Sequence, residues 1–310
     1  MKKKIWMLGM GAILLASCGG TETNTDTTET NNETTDTTST EIEEDVVENG
    51  PIDPFPDFPK GGTSAATGDY ILTPSLGWQQ DATSGEAADQ TFIFYKAKMS
   101  EAGDGYSKVD FTFDGEQEIP NYMIVPIKPS QTAKKGDIIL TWWQSGSGMK
   151  RAIVTDDSNP AEPEVNYIDI DWDNPATTTE GVGFGQRKET IKPGSFHVLT
   201  SEWEPGTTVA VKKGADYKVA TIIAVSGDHV LTCGFGGKMA MYSKSECTAL
   251  PVVPNVRVGD MVQAPWVGTF KSVKVQKIDK VMGRIWTDDP FSDEPMVIAF
   301  GDIATNLPIQ

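Results

Sequence analysis

The chain has 310 residues, of which 44 are acidic and 26 are basic, so its formal net charge is −18. With 38% hydrophobic residues, 30 glycines and 19 prolines, its composition is typical of a loop-rich globular protein. It excludes a membrane bundle and a wholly disordered chain, and the excess of acid argues against nucleic acid as a partner, because phosphate groups would be repelled.

The N-terminus has the features of an export signal. Three lysines follow Met1, a short apolar run comes next, and the run ends at Leu15-Ala16-Ser17-Cys18. The run is too short for a spanning helix. Its last four residues resemble the bacterial lipobox, which implies a signal peptide at residues 1–17 and acylation of Cys18. By the same resemblance, Gly19 favours the outer membrane, with the protein facing the periplasm or the cell surface. The alternative is a plain secretory signal with an incidental cysteine.

The segment after Cys18 is predicted to be a disordered tether. Residues 19–50 consist almost entirely of Thr, Asn, Asp and Glu, with ten acids and no Lys or Arg. Such a segment cannot bury enough apolar area to offset its conformational entropy. Residues 18–50 would therefore let the body move roughly 30 Å from the bilayer. The proline-rich residues 51–66 are predicted to lead into the body as an extended segment.

The body is organised around a repeated stretch. Lys135–Trp143 contains Gly-Asp followed by an apolar run that ends in tryptophan, and Val258–Trp266 is a close copy. Fainter copies lie at Thr67–Pro74 and Pro205–Val211. This spacing predicts one small structure used four times. The predicted repeats are residues 67–130, 131–203, 204–254 and 255–310.

Each repeat is predicted to be built from short strands. The body has no apolar residues at helical spacing over three turns, whereas β-branched and aromatic runs alternate with Gly, Pro, Asn and Asp clusters. In the first repeat, strands are predicted after Gly68 and at 92–99 and 108–113, with an Asp114-Gly115 hairpin toward a strand at 121–126. The predicted second strands of the later repeats are 149–154, 217–222 and 270–275, the third strands are 168–174, 229–233 and 284–289, and the final strands are 196–199, 239–242 and 296–300.

This strand order, with its Gly-Asp opening, aromatic-Lys-x-Ala second strand and Phe-Asp-Gly turn, resembles the Tudor and agenet branch of the SH3-like barrels. The resemblance implies an all-β fold of four tandem small SH3-like (Tudor-like) barrels. Closing short strands into a barrel protects sheet edges.

The resemblance also implies an aromatic cage, in which ring faces attract a cation. Trp78, Tyr95 and Asp114 match the cage positions of the first repeat, while Ile93 and Glu116 stand where further aromatics would be expected. The later repeats offer another set of rings at matching positions, which is Trp142, Trp143, Trp266 and Phe270. The alternative is that these rings fill the interiors of the barrels and the contacts between them.

Two further groups carry possible sites. Asp169, Asp171, Asp173 and Glu180 fit the ligand spacing of a calcium loop, although Asn174 stands where Gly is usual. The alternative is a strand that ends in a turn.

Cys233 and Cys247 are an even pair in an exported chain, which permits a disulfide worth about 3 kcal/mol. Two buried free thiols are the competing interpretation. His197 and His229 lack the neighbours of a hydrolase triad or a zinc site, so no cofactor is predicted.

These features predict a non-enzymatic, membrane-tethered binding or scaffold protein of the cell envelope. Its partners would be the bilayer, through acylated Cys18, and an envelope protein, peptide or glycan. One alternative is a carboxylate-dependent enzyme that uses residues such as Asp114, Asp169 or Asp171, with two carboxylates about 5–10 Å apart in a cleft. The other alternative is a passive spacer without an exposed aromatic patch.

Overall fold

The computed structural model describes residues 51–75, 77, 92–112, 114–170, 186–305 and 307. Every described residue belongs to one compact unit, Glu48–Gln310. The described part of this unit is all-β, with nineteen strands paired in antiparallel sheets. No helix among the described residues is long and apolar enough to cross a membrane.

The described strands form four consecutive sets, which we call repeats. The first contains β1 (Tyr70–Thr73), β2 (Tyr95–Glu101), β3 (Tyr106–Phe111), β4 (Gly115–Pro120) and β5 (Val125–Pro126). The second contains β6 (Ile138–Trp142), β7 (Met149–Asp156), β8 (Glu164–Tyr167), β9 (Lys188–Thr190) and β10 (His197–Val198). The third contains β11 (Thr208–Lys213), β12 (Asp216–Ser226), β13 (His229–Gly234), β14 (Met239–Ser243) and β15 (Cys247–Ala249). The fourth contains β16 (Met261–Trp266), β17 (Thr269–Asp279), β18 (Arg284–Asp289) and β19 (Ser292–Ala299).

All four repeats have the same strand order. In the first three, the order across the sheet is fourth, third, second, first and fifth strand. In the fourth repeat, Ala304 takes the place of the fifth strand through a bridge to Gln263 on β16. Among the described strands, the fourth and fifth of a set do not pair with each other, so none of these sheets closes into a barrel. The third and fourth repeats share one sheet, because β12 pairs with β17.

The repeated Gly-Asp has a clear structural role. Its glycine adopts a φ of 91°, 93° and 96° at Gly68, Gly136 and Gly259, a left-handed conformation that a side chain would strain. The following aspartate then accepts a hydrogen bond at 2.8 Å from the backbone N–H three residues earlier, which fixes the turn before the first strand. In the third repeat Gly206 has a φ of 91°, and Thr207 replaces the aspartate.

The same motif also fixes the register of the second strand. The N–H of each motif glycine donates to a carbonyl of the second strand, and the N–H of that strand residue donates back to the carbonyl of the residue after the glycine. A β-bulge begins at this strand residue in every repeat, which bends the strand. The four residues at which the register shifts begin are Met99, Val154, Ile222 and Val275.

Some predicted strands are wrong in their details. Residues 115–120 form β4, an edge strand that was not predicted because its sequence is mostly polar. Asn121–Met123 form a 3-10 turn within the predicted strand at 121–126. The third strand of the second repeat is β8, at Glu164–Tyr167. Of the strand predicted at 168–174, residues 171–174 lie outside the described residues, and residues 168–170 are not a strand, because the Asp169 carboxylate accepts the Arg151 N–H in place of a strand partner. The segments 239–242 and 296–300 lie in or overlap the fourth strands, β14 and β19.

The repeats pack around a shared core. One cluster of buried apolar side chains contains Ile71, Ile153, Leu231 and Ile285, one from each repeat, and Phe58 from the leading segment also joins it. Smaller clusters lie within the second repeat, within the third, and between the third and fourth. The four repeats therefore share a hydrophobic core and do not form separate, independently packed domains.

Arg151 connects three of the repeats. Its side chain is almost fully buried, and the guanidinium donates to Asp169 of the second repeat and to Asp302 of the fourth, with closest distances of 2.7 and 2.9 Å. It also donates to the Thr208 hydroxyl of the third repeat at 3.4 Å and to the Phe300 carbonyl at 3.3 Å. A charge this deeply buried is stable only when it is fully paired.

Candidate functional site

A cleft between the first and second repeats brings predicted ring and acid residues together. It has a volume of about 390 Å³, and two other clefts of the described surface have volumes of about 270 and 90 Å³. A volume of this size is in the range that small ligands occupy. We call it the inter-repeat cleft; its lining residues are Ser75, Tyr95, Lys96, Phe111, Thr112, Asp114, Trp142, Gln144, Gly146, Ser147 and Gly148.

Three strand ends position these side chains. Tyr95 begins β2 and pairs with Thr73, the last residue of β1. Asp114 lies in the tight turn between β3 and β4, where Phe111 pairs with Gly115. Trp142 ends β6 on the facing repeat. Backbone pairing therefore places each of the three residues at the end of a strand or in the adjoining turn, beside the cleft.

Direct contacts between the two repeats hold the cleft in shape. The N–H of Met149 on β7 donates to the Phe94 carbonyl at 2.8 Å. The ring of Trp142 packs against Tyr70 of β1, with centroids 5.1 Å apart, and only 5% of Trp142 remains exposed. The ammonium of Lys96 lies 5.9 Å from the centroid of the same indole ring. Trp142 is therefore both a wall of the cleft and part of the joint between the repeats.

A half-buried acid, Glu189, lies behind Gln144 of the cleft wall. The Gln144 N–H donates to the Tyr167 hydroxyl at 3.0 Å, and this hydroxyl donates to the Glu189 carboxylate at 2.5 Å. Burial raises the pKa of Glu189, and the hydrogen bond from Tyr167 lowers it only in part. Burial and the same hydrogen bond raise the pKa of Tyr167. The chain Gln144–Tyr167–Glu189 ties the β6–β7 turn to β8 and β9.

The other predicted rings lie elsewhere. Trp143 donates its indole N–H to the Gln186 carbonyl at 2.9 Å and packs against the core of the second repeat. Phe270 is buried in the cluster between the third and fourth repeats. Trp266 is half-buried and packs on Phe291, with centroids 4.2 Å apart. Of the rings proposed for the later repeats, the structure brings only Trp142 to the inter-repeat cleft.

Several predicted site residues lie outside the described residues. These are Cys18, Trp78, Asp171, Asp173 and Glu180.

The described member of the predicted calcium set, Asp169, is bound to Arg151. Burial alone would raise the pKa of Asp169, but the charge and hydrogen bonds of Arg151 hold it below its ordinary value. Among the described residues, no group of three or more His, Cys, Asp or Glu side chains could hold a metal ion.

The two described cysteines and the two histidines pack within the fold and form no shared site. Cys233 and Cys247 are free thiols that pack against different clusters, so the disulfide that the sequence permits is not formed. Burial raises the pKa of both thiols to about 11. The ring of His197 contacts Glu204 at 2.9 Å, and His229 packs edge-on against Phe58.

No protein-family model matches the sequence, and the search of curated proteins finds no match.

Sequence reasoning missed Lys96 and Gln144 as cleft residues. Lys96 follows the predicted Tyr95 directly, but its place over Trp142 depends on how two repeats pack. Gln144 is the second residue after the predicted Trp142 and is placed by its bonds to Ser195 and Tyr167.

Proposed function

We propose that this protein is a non-enzymatic binding module of the bacterial cell envelope, tethered to the outer membrane and holding its ligand in the inter-repeat cleft. In this proposal Cys18 is acylated, residues 18–50 are the tether, and the body consists of four tandem SH3-like, Tudor-like units. The observation that carries the binding function is that two repeats jointly wall a cleft with Tyr95, Asp114 and Trp142.

The proposed architecture is supported by its repetition. The Gly-Asp motif makes the same hydrogen bonds in the first, second and fourth repeats, and the order of strands recurs in all four. Folds of this kind carry unrelated functions, so the function has to be argued from the site and not from the fold. The anchor is supported by the lipobox-like Leu15-Ala16-Ser17-Cys18. Acyl chains contribute about 0.8 kcal/mol per buried methylene, which is enough for stable anchoring when several chains are attached.

The chemistry of the cleft favours binding. Tyr95 is half-buried and lines the cleft, so part of its side chain can contact a ligand. Of the acids named for the alternative carboxylate-dependent enzyme, Asp114 lines the cleft, whereas Asp169, two residues after β8, is held as an ion pair by Arg151 outside it. The proposed ligand is an envelope peptide, protein or glycan.

Capture from envelope extract tests this proposal. Full-length protein, solubilised in detergent and immobilised, is compared with Tyr95→Ala and with Phe291→Ala, which removes a ring that is 65% exposed but lies outside the cleft. We expect a component that wild type and Phe291→Ala retain and Tyr95→Ala loses. Equal retention by all three proteins, or retention by none, would contradict binding in the cleft. Tryptophan fluorescence melting checks that each variant is folded.

A further inference from the structure

Two opposite charges line the inter-repeat cleft, and neither has an ion-pair partner among the described residues. Lys96 stands on β2, and Asp114 lies in the β3–β4 turn. Neither forms a salt bridge with any described residue, and the ion pairs nearest in sequence are those of Lys60 with Asp53 and Lys108 with Glu101. Lys96 is half-buried and Asp114 is exposed, and each can form a charge-assisted hydrogen bond with a ligand that supplies the opposite charge.

The position of the Lys96 charge is set by the joint between repeats. Its ammonium lies over the indole of Trp142, which belongs to the facing repeat and is itself held by Tyr70. A cation over an aromatic ring is attracted to its negative face. The ring therefore positions this ammonium in advance, which reduces the entropy that a ligand would otherwise have to offset.

These charges discriminate between classes of ligand. A cationic ligand, which the aromatic-cage resemblance implies, would find the Trp142 ring face already occupied by the ammonium of Lys96. An anionic ligand would approach a strongly acidic protein, which carries a net charge of −18. A neutral ligand would form an ionic contact with neither Lys96 nor Asp114.

We propose that the inter-repeat cleft binds a short zwitterionic peptide, with its carboxylate at Lys96, its ammonium at Asp114 and an apolar side chain against Tyr95 and Phe111. Such a ligand has no net charge, so the acidic body does not repel it, and it satisfies both unpaired groups. This inference rests on the proposed function, because it names the ligand class of the same cleft. It goes further by replacing a cage for a lone cation with a site for a pair of charges.

Calorimetric titration with four probes tests the inference. The probes are the dipeptide Ala-Leu, its N-acetyl form without an ammonium, its amide without a carboxylate, and the neutral disaccharide diacetylchitobiose. We expect Ala-Leu to bind in the millimolar range or tighter, and each blocked form to bind about tenfold more weakly, as for the loss of one charge-assisted hydrogen bond. The full chain with Cys18→Ser is used, so that no detergent is needed.

Two variants assign each charge of the ligand. In Lys96→Gln the free acid and the amide should bind equally, while the preference for a free ammonium remains. In Asp114→Asn the preference for a free ammonium should disappear, while the preference for a carboxylate remains. Matched controls are Lys98→Gln and Asp110→Asn, exposed neighbours on β2 and β3 that do not line the cleft. Both controls should bind like wild type.

The outcomes separate the inference from the proposed function. If the blocked dipeptides bind as well as Ala-Leu, or if no dipeptide binds, the zwitterionic site is overturned. If only the disaccharide binds, and Tyr95→Ala abolishes that binding, the cleft remains a binding site for a neutral ligand. Failure of the function itself is measured separately, by the capture experiment with envelope extract.

Discussion

Replacing Arg151 by Met should strongly destabilise the folded body. The change removes a guanidinium that lies within 2.7 Å of an Asp169 oxygen and 2.9 Å of an Asp302 oxygen, while it keeps most of the apolar volume. The two carboxylate side chains are only 25% and 21% exposed, so each would be left partly buried and unpaired. Breaking one side of a buried ion pair typically costs about 3–5 kcal/mol, and we expect Arg151→Met to fall in this range.

The cost should depend on pH in a defined direction. Arg151 holds the pKa of Asp169 below its ordinary value of 3.8. A lowered folded-state pKa contributes stability that is present above the unfolded pKa and is lost as pH falls through the folded pKa. The difference between wild type and Arg151→Met should therefore be constant near neutral pH and shrink below about pH 4.

Urea unfolding followed by tryptophan fluorescence measures this difference at pH 7 and at pH 3. The matched control is Lys108→Met, which breaks an ion pair whose two side chains are 49% and 70% exposed. Exposed pairs contribute little, so this variant should unfold like wild type. A cost for Arg151→Met no larger than that of Lys108→Met, or one that grows toward low pH, would refute the role assigned to Arg151.

Three further outcomes are expected. Gly206→Ala should destabilise the body by about 1–3 kcal/mol, and by more than Gly259→Ala. Both glycines have a left-handed φ, but only a Cβ at 206 would meet another side chain, that of Leu140 at 2.6 Å. Equal melting shifts for the two variants would contradict the packing of the third repeat on the second. Because burial raises the pKa of Glu189 above its ordinary 4.5, its ionisation costs stability as pH rises through the folded pKa. Glu189→Gln should remove this pH dependence. If the free energy of unfolding changes with pH between 4 and 8 as it does in wild type, the raised pKa of Glu189 is contradicted. Cys18→Ala should abolish fatty-acid labelling and release the protein from membranes, whereas undiminished labelling would rule out the lipobox.

The starts of strands β1, β6, β11 and β16 could be predicted because their signal is local. The glycine of the Gly-Asp motif needs a left-handed φ, and the aspartate closes the turn through its own side chain, so the motif marks the starts of β1, β6 and β16. Long second strands such as β12 and β17 carry β-branched residues that also mark them in sequence. Strand β4 was missed because its exposed Glu116 and Glu118 give it no apolar alternation.

The candidate site could be predicted only in part. Tyr95 and Asp114 follow from strand order within one repeat, and both line the cleft. Trp142 lines the cleft, whereas Trp143, the next residue, packs against the core of its own repeat. Successive side chains of an extended chain point to opposite faces, and the sequence does not tell which of the two tryptophans takes which face. The pairing of Arg151 with Asp302 spans 151 positions and has no local signal.

The most direct test of a binding cleft in the cell envelope is photo-crosslinking from inside it. A benzophenone amino acid is placed at Ser147, an exposed residue that lines the inter-repeat cleft, or at Ser158, an exposed residue outside it. Intact membranes from cells that express the protein are then irradiated, and adducts are identified by mass. We expect an adduct from position 147 that Tyr95→Ala abolishes and none from position 158. Equal adducts from both positions, or an adduct at 147 that persists in Tyr95→Ala, would contradict the account.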